Sequence, residues 1–412
     1  MTARVDPQRL ARELDTLATF SDEPAPAVTR IVFTDTDLRA RAYLKSLCRD
    51  AALSVREDGV GNLYARWTGT DPHAPAVATG SHIDAIPHAG RFDGTVGVLG
   101  GLEAIRALRE AGFRARRSID LMLFTSEEPT RFGIGCLGSR LLSGSLDESA
   151  GERLTGGDGR SLNDARADAG FGDSLALVPL ASDAYCAFVE LHIEQGPLLE
   201  RAGVDIGVVT AIAAPSSQRI IVEGEGGHAG AVLMRDRHDA FLAAAEIALG
   251  VESAARASGS DDTVGTVGVC EVFPGAVNSV PSRTTLAVDI RDVDLARRDA
   301  VLERVSAACR ETASRRGVNV RAETINADPP TRCEPAIIEA IEQACDARGF
   351  THQRMISRAY HDSLFMSRVA PTGMIFIPCR GGLSHRPDEY ASPEAITRGA
   401  SVLADVLARL ST

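Results

Sequence analysis

Four short apolar runs, spread along the chain, each lead into residues that can bind a metal or move a proton. They are "APAVATGSH" continuing as "IDAIPHAGRFDG", "SIDLMLFTSEE", "AYCAFVELHIEQG", and "GMIFIPC" followed by "RGGLSHRPDEY". A short apolar run bounded by turn residues reads as a strand buried on both faces, and such strands belong to parallel sheets. Helical periodicity lies between them. Residues 8–20 and 35–51 read as helices, the second with Thr34 or Asp35 as its N-cap. "GTVGVLGGLEAIRALREAG" has helical spacing and ends at Gly112, a C-terminal capping position. "GNLYARW" at 61–67 alternates as a strand does. Strand and helix in alternation predict an α/β fold with a largely parallel central sheet.

The pattern changes near residue 208. "QRIIVEGEGG", "TVGTVGVCEVFPG" and "TTLAVDIRD" alternate as half-buried strands, and two long helical runs separate and follow them. That order is α+β with antiparallel strands. It ends near "NADPP", after which helix and strand resume. The expectation is an inserted α+β domain at 209–325, within a catalytic domain formed by 1–208 and 326–412. A chain of 412 residues agrees with two domains. Residues 143–180, rich in Gly, Asp and Ser, read as surface loop with one helix, and no internal repeat is visible.

Charge and cysteine usage exclude several classes. The formal net charge of -12 leaves no basic surface for counterion release, so no nucleic acid partner is expected. The first twenty residues alternate charge and apolar groups without a signal-peptide core, and no run reaches the eighteen apolar residues of a membrane span. No membrane partner is expected. Eight cysteines are scattered with no CxxC, which suggests reduced thiols and a cytoplasmic protein.

Functional residues of α/β sheets gather at the carboxyl ends of strands. His82 and Asp84 lie two apart and face the same side of a strand. An imidazole that binds a metal through one nitrogen usually donates its other N–H to a carboxylate, so Asp84 would orient His82. His88 reads as loop. Asp93 precedes Gly94 and a helix start; its carboxylate can bridge two cations or cap the helix. Glu127 and Glu128 are adjacent and diverge, so one ligand and one free base is the economical division. His192 and His385 complete a candidate ligand set of His82, Asp93, Glu128, His192 and His385. Nitrogen and oxygen donors without sulfur suit Zn²⁺, Mn²⁺ or Co²⁺. "GEGGHAG" lacks the spacing of a dinucleotide fingerprint, no GxSxG elbow occurs, and nothing marks Cys136 as a nucleophile.

At these residues the chain resembles the M20 family of dinuclear metal-dependent amidohydrolases, from about residue 28 to 410. A His-x-Asp strand end, an Asp-Gly, a Glu-Glu pair and a late His follow in the family's order. The peptidase branch has a carboxylate where this chain has His192, which is instead similar to the allantoate amidohydrolase and N-carbamoyl-L-amino-acid hydrolase branch. That branch usually has Gly-His-Asp where this chain has Tyr360-His361-Asp362.

The resemblance implies a catalytic domain with an inserted lid that forms a homodimer. It implies two divalent ions per subunit, Mn²⁺ first, one held by His82, Asp93 and His192 and the other by Asp93, Glu128 and His385. Glu127 matches the general base. Gln195, His228, Asn278, Arg291, Tyr360 and His361 match contacts to a small ureide carboxylate substrate, with His228 and Asn278 reaching in from the partner subunit. Physical roles fit beside these. Arg291 offers a fork for a carboxylate, or an ion pair with Asp289 or Asp292. His228 could stabilise an oxyanion, or be a turn residue. The rival to an enzyme is a non-catalytic dimeric binding module, which would be expected to have lost a ligand or the base.

Overall fold

The structure is a computed structural model, and it describes residues 3–412. The chain divides into two compact units. The first comprises residues up to Thr210, Cys333–Met355 and His361–Thr412; the second comprises Ala211–Arg332 and Ile356–Tyr360.

In the first unit the apolar runs form the middle of one sheet. Seven of its nine strands lie in the order Ile206–Ile212, Thr372–Ile377, Tyr185–Ile193, Ala76–His82, Ile119–Phe124, Leu63–Trp67 and Ser54–Glu57. The four central strands are parallel: Phe376 pairs with His192, Thr79 with Val189, and His82 with Phe124. The flanking strands are antiparallel. Ala76–His82, Ile119–Phe124 and Thr372–Ile377 are buried at every position, as continuous apolar runs require. The parallel register brings His82, the turn after Phe124 and His192 to one edge.

The flanking helices begin and end where their caps dictate. Thr34 caps Asp35–Asp50 by accepting from the Asp37 N–H, and the first helix runs Pro7–Ala18. Thr95–Glu110 ends at Ala111, with Gly112 next in the left-handed conformation at φ 73°. It packs against the last helix, Pro393–Leu410. Residues 143–180 hold two short α-helices, Glu148–Glu152 and Leu162–Asp168, and a 3-10 turn at Leu175–Leu177, where one helix was expected. Asp147 and Ser161 each supply an N-cap, and each cap starts its own turn. No helix among the described residues is long and apolar enough to cross a membrane.

The second unit is an antiparallel sheet ordered Val264–Phe273, Arg283–Asp292, Ala214–Glu223 and Asn319–Ala327. Arg283–Asp292 alternates between buried and partly exposed positions, as its sequence does. Leu286, Val288 and Ile290 pack with Ile247 and Val251 of the helix Ala240–Arg256, and with Val301 and Val305 of Leu295–Arg316. The unit is longer than the expected 209–325. Its last long strand runs to Ala327, and Ile356–Tyr360 joins it: Ala213 N–H donates to Ser357 O (2.8 Å) and Tyr360 Oη donates to Asp328 Oδ2 (3.1 Å). Tyr360 therefore belongs to the second unit, not to the 326–412 part of the first.

Candidate active site

Asp93 stands between two groups of donors. Its Oδ1 is 3.7 Å from His82 Nε2 and 3.2 Å from His192 Nε2. Its Oδ2 is 3.2 Å from His385 Nε2, which lies 3.3 Å from Glu128 Oε1. The ligand atoms of His82, Asp93 and His192 lie within 4.8 Å of one another, and so do those of Asp93, Glu128 and His385.

Local structure explains these orientations. His82 Nδ1 lies 3.0 Å from the main-chain carbonyl of Asp84, and His192 Nδ1 lies 2.9 Å from that of Ile193. Each carbonyl accepts from Nδ1–H, so each ring turns its Nε2 toward Asp93. This corrects the expected role of the Asp84 side chain, which stands 3.7 Å from the imidazole. Its carboxylate instead accepts from the Glu127 N–H (3.2 Å) and the Glu128 N–H (3.0 Å). Two adjacent amide donors outcompete one ring N–H already served by a carbonyl. Asp93 does not cap the following helix, whose N-cap is Gly94, with no side-chain cap bond. Gly94 has φ 65°, and a methyl there would strike the His82 ring, so glycine is required after Asp93. His88 is exposed on the short strand Ala85–Ala89, not in a loop.

The glutamate pair sits on a strained turn. Ser126 has φ 56° and Cys136 φ 55°, and Cys136 N–H donates to Glu127 O at 2.7 Å. Gln195 (φ 56°) and His385 (φ 59°) are also left-handed. Four of the seven non-glycine residues in that conformation thus lie at this site, and such strain persists only where the surroundings enforce it. Glu128 points to His385. Glu127 differs: its Oε1 accepts from Cys136 Sγ (3.5 Å) and its Oε2 is 3.8 Å from His82 Nε2.

The electrostatics call for cations. Asp84, Asp93, Glu127, Glu128, Glu190 and Asp362 are all buried. Burial pushes Glu127 well above the usual carboxylate range; His82 pulls it down, while Glu128, Asp362 and Asp93 push it further up. Burial and Glu190 push Asp362 up to about 8. The Asp93 and Glu128 carboxylates raise His385 to about 11, although 47% of its side chain is exposed. Buried carboxylates at such density need positive charge, and nitrogen and oxygen donors at these spacings fit divalent ions.

The substrate-contact candidates divide between the units. In the first, Gln195 Nε2 donates to Asp93 Oδ2 (2.8 Å), while its buried Oε1 has no partner among the described residues. His361 is buried edge-on to His192, with ring centroids 4.6 Å apart. In the second, His228 and Asn278 are neighbours: Ala229 N–H donates to Asn278 O, and His228 pairs with Ser279. Both are exposed. Gly230 N–H donates to His228 Nδ1 (3.1 Å), which leaves the ring proton on Nε2. Arg291 Nε donates to Asp289 Oδ1 (2.7 Å), the ion pair weighed as its alternative, whereas Asp292 pairs with Arg297.

Sequence reading passed over Ser384 and Glu389, which hold the Asp93 loop. The only available signal was their closeness to His385 in "SHRPDEY".

Comparison with known proteins places this site in a family. The sequence pattern of Peptidase family M20/M25/M40 matches residues 78–409. The chain is 52% identical to a ureidoglycolate hydrolase of Arabidopsis thaliana, over 99% of this chain and 87% of the relative. It is 53% identical to a ureidoglycolate hydrolase of Oryza sativa subsp. japonica, over 99% and 85%. A crystal structure of AtUAH in complex with (S)-hydroxyglycine matches with a TM-score of 0.93 at 51% identity, covering 100% of this chain and 99% of that one. With a pattern match over most of its length and relatives this similar over 99% of the chain, the chain belongs to Peptidase family M20/M25/M40.

Proposed function

We propose that this protein is a metal-dependent amidohydrolase that cleaves the ureido amide of ureidoglycolate in purine ureide breakdown, releasing ammonia and CO₂ and leaving hydroxyglycine, which loses a second ammonia to give glyoxylate. One observation carries the reaction class: the two oxygens of Asp93 face different donor sets, with Glu128 on His385 and Glu127 beside His82. The end-to-end identity to ureidoglycolate hydrolases supports the substrate.

His82, Asp93 and His192 would hold one divalent ion, and Asp93, Glu128 and His385 a second, with Mn²⁺ favoured over Zn²⁺ or Co²⁺. Such ions polarise a carbonyl and acidify water. Glu127 takes the proton of the attacking water and passes it to the leaving nitrogen. The Nε2–H of His228 donates to the carbonyl oxygen as it gains charge. The unpartnered Oε1 of Gln195 accepts from a ureido N–H, and the Arg291 guanidinium, whose Nε donates to Asp289 and whose Nη1 donates to the Arg358 carbonyl, takes the substrate carboxylate through its remaining N–H groups. Asn278 and His361 add polar contacts.

The second unit acts as a lid that dimerises, so that His228 and Asn278 complete the site of the other subunit. Its outer strand Val264–Phe273 has one unpaired edge and exposes Val264, Val269 and Phe273; the adjacent helix exposes Phe241, Leu242 and Leu249. A paired edge and covered apolar groups are what a second copy would supply. All eight cysteines are unpaired, in keeping with a reducing, cytoplasmic setting.

The test is ammonia release from ureidoglycolate, allantoate and N-carbamoyl amino acids, each with added Mn²⁺, Zn²⁺ or Co²⁺. Ureidoglycolate should give the largest kcat/KM. A clear preference for allantoate or a carbamoyl amino acid would move the protein to the other activities of its branch. Metal binding without turnover of any ureide would make it a binding module.

Substrate choice points to Tyr360. Allantoate carries two ureido arms and ureidoglycolate one arm and a hydroxyl, so the smaller substrate needs the second arm's space filled. Tyr360 supplies bulk, and its hydroxyl is held by Asp328. Tyr360→Gly should lower kcat/KM for ureidoglycolate and raise the relative value for allantoate or carbamoyl amino acids. An unchanged ratio would place selectivity elsewhere.

A further inference from the structure

Glu389 is 4% exposed and lies four residues beyond His385. Its Oε1 accepts from the N–H groups of Phe92 (2.8 Å) and Asp93 (3.1 Å), across nearly three hundred residues of sequence. Its Oε2 accepts from Ser384 Oγ (2.8 Å), and Ser384 Oγ lies 3.1 Å from Asp93 Oδ2. One carboxylate thus grips both the loop carrying Asp93 and the loop carrying His385. Room for that grip comes from Gly90, where a methyl would collide with Cβ and Cδ of Glu389.

The two candidate ion sites depend on this grip unequally. His82 and His192 are buried and oriented by the carbonyls of Asp84 and Ile193. What reaches them from the gripped loop is the Gly94 N–H, which donates to His192 Nε2 (3.2 Å), while the two carbonyls hold the rings from their own strands. His385 is half exposed and left-handed at φ 59°, on the same loop as Ser384. The Oδ2 that faces it is the oxygen next to Ser384. Loosening the joined loops would rotate Asp93 and shift His385 together, while leaving the two anchored imidazoles in place.

We infer that Glu389 is a positioning residue that ties the Asp93 and His385 loops together and thereby builds the Asp93–Glu128–His385 ion site, leaving the His82–Asp93–His192 site largely independent of it. The inference rests on reading the centre as one that holds two ions.

The test is calorimetric titration of metal-free protein with Mn²⁺, with thermal unfolding of the metal-free form as the folding control. Wild type should bind two ions per chain. Glu389→Ala should keep one and weaken the other by at least about tenfold, the usual effect of removing a partner that orients a metal ligand. Gly90→Ala, which retains Glu389 but displaces it, should do the same. Glu389→Gln should keep both ions, because its amide oxygen can still accept from both N–H groups. Should Glu389→Ala fail to fold, Gly90→Ala and Ser384→Ala decide. Two ions bound with wild-type affinity by folded Glu389→Ala or Gly90→Ala would overturn the inference. Equal weakening of both sites would also overturn it, as would a Glu389→Gln variant as damaged as the alanine. No ion bound by wild type would instead sink the two-ion reading on which it stands.

Discussion

Glu127→Gln should abolish nearly all turnover while both ions remain bound. The glutamine keeps the shape and can still accept from Cys136 Sγ, but it cannot take a proton from water. Loss of a positioned general base costs about 100- to 10,000-fold. The structure separates the pair: Glu128 lies 3.3 Å from His385 Nε2, whereas Glu127 Oε2 lies 3.8 Å from His82 Nε2. Glu128→Gln should therefore show the opposite phenotype, with metal loss and activity partly recovered at high metal. The measurements are metal content and kcat/KM with ureidoglycolate. A Glu127→Gln protein that loses metal, yet turns over almost normally once reconstituted, would exchange the roles of the two residues.

Mixing two inactive variants should restore activity if each site is completed by the second subunit. Glu127→Gln removes the base from one subunit, and His228→Ala removes the oxyanion donor contributed by the other. In a heterodimer one site carries both defects and the other carries neither. Random exchange of equal amounts makes half the dimers mixed, so about a quarter of wild-type activity should return. His228 suits this task, being exposed with its ring proton on Nε2. No recovery, with subunit exchange proven by mass-tagged chains, would assign His228 to its own subunit's site.

Much of the candidate centre was legible because its signals are local. A strand end is a few residues long, and His82, Glu127–Glu128 and His192 each follow an apolar run that could only be a buried strand. The parallel register then places them together. Residue type settled what they could bind. That Gly94 follows Asp93 at a helix start was legible, and the structure adds the reason for a glycine there, the His82 ring that a side chain would strike. The alternation of Arg283–Asp292 was legible for the same reason: its period of two is written in neighbouring residues.

What only the tertiary structure decided are choices between equally suitable partners. Asp84 could have met His82 through its carboxylate, and meets it through its carbonyl, because the Glu127 and Glu128 amides arrive from another strand. Arg291 chose Asp289 over Asp292, and Tyr360 joined the second unit through Asp328. Glu389 reads as an ordinary loop glutamate until Phe92 and Asp93, almost three hundred residues earlier, present their N–H groups to it. The sequence by itself determined residue types, periodicities and the order of strands, hence the fold class and the donors available. Which oxygen faces which nitrogen was determined by contacts between distant segments and by four left-handed backbone conformations that only the surrounding packing enforces.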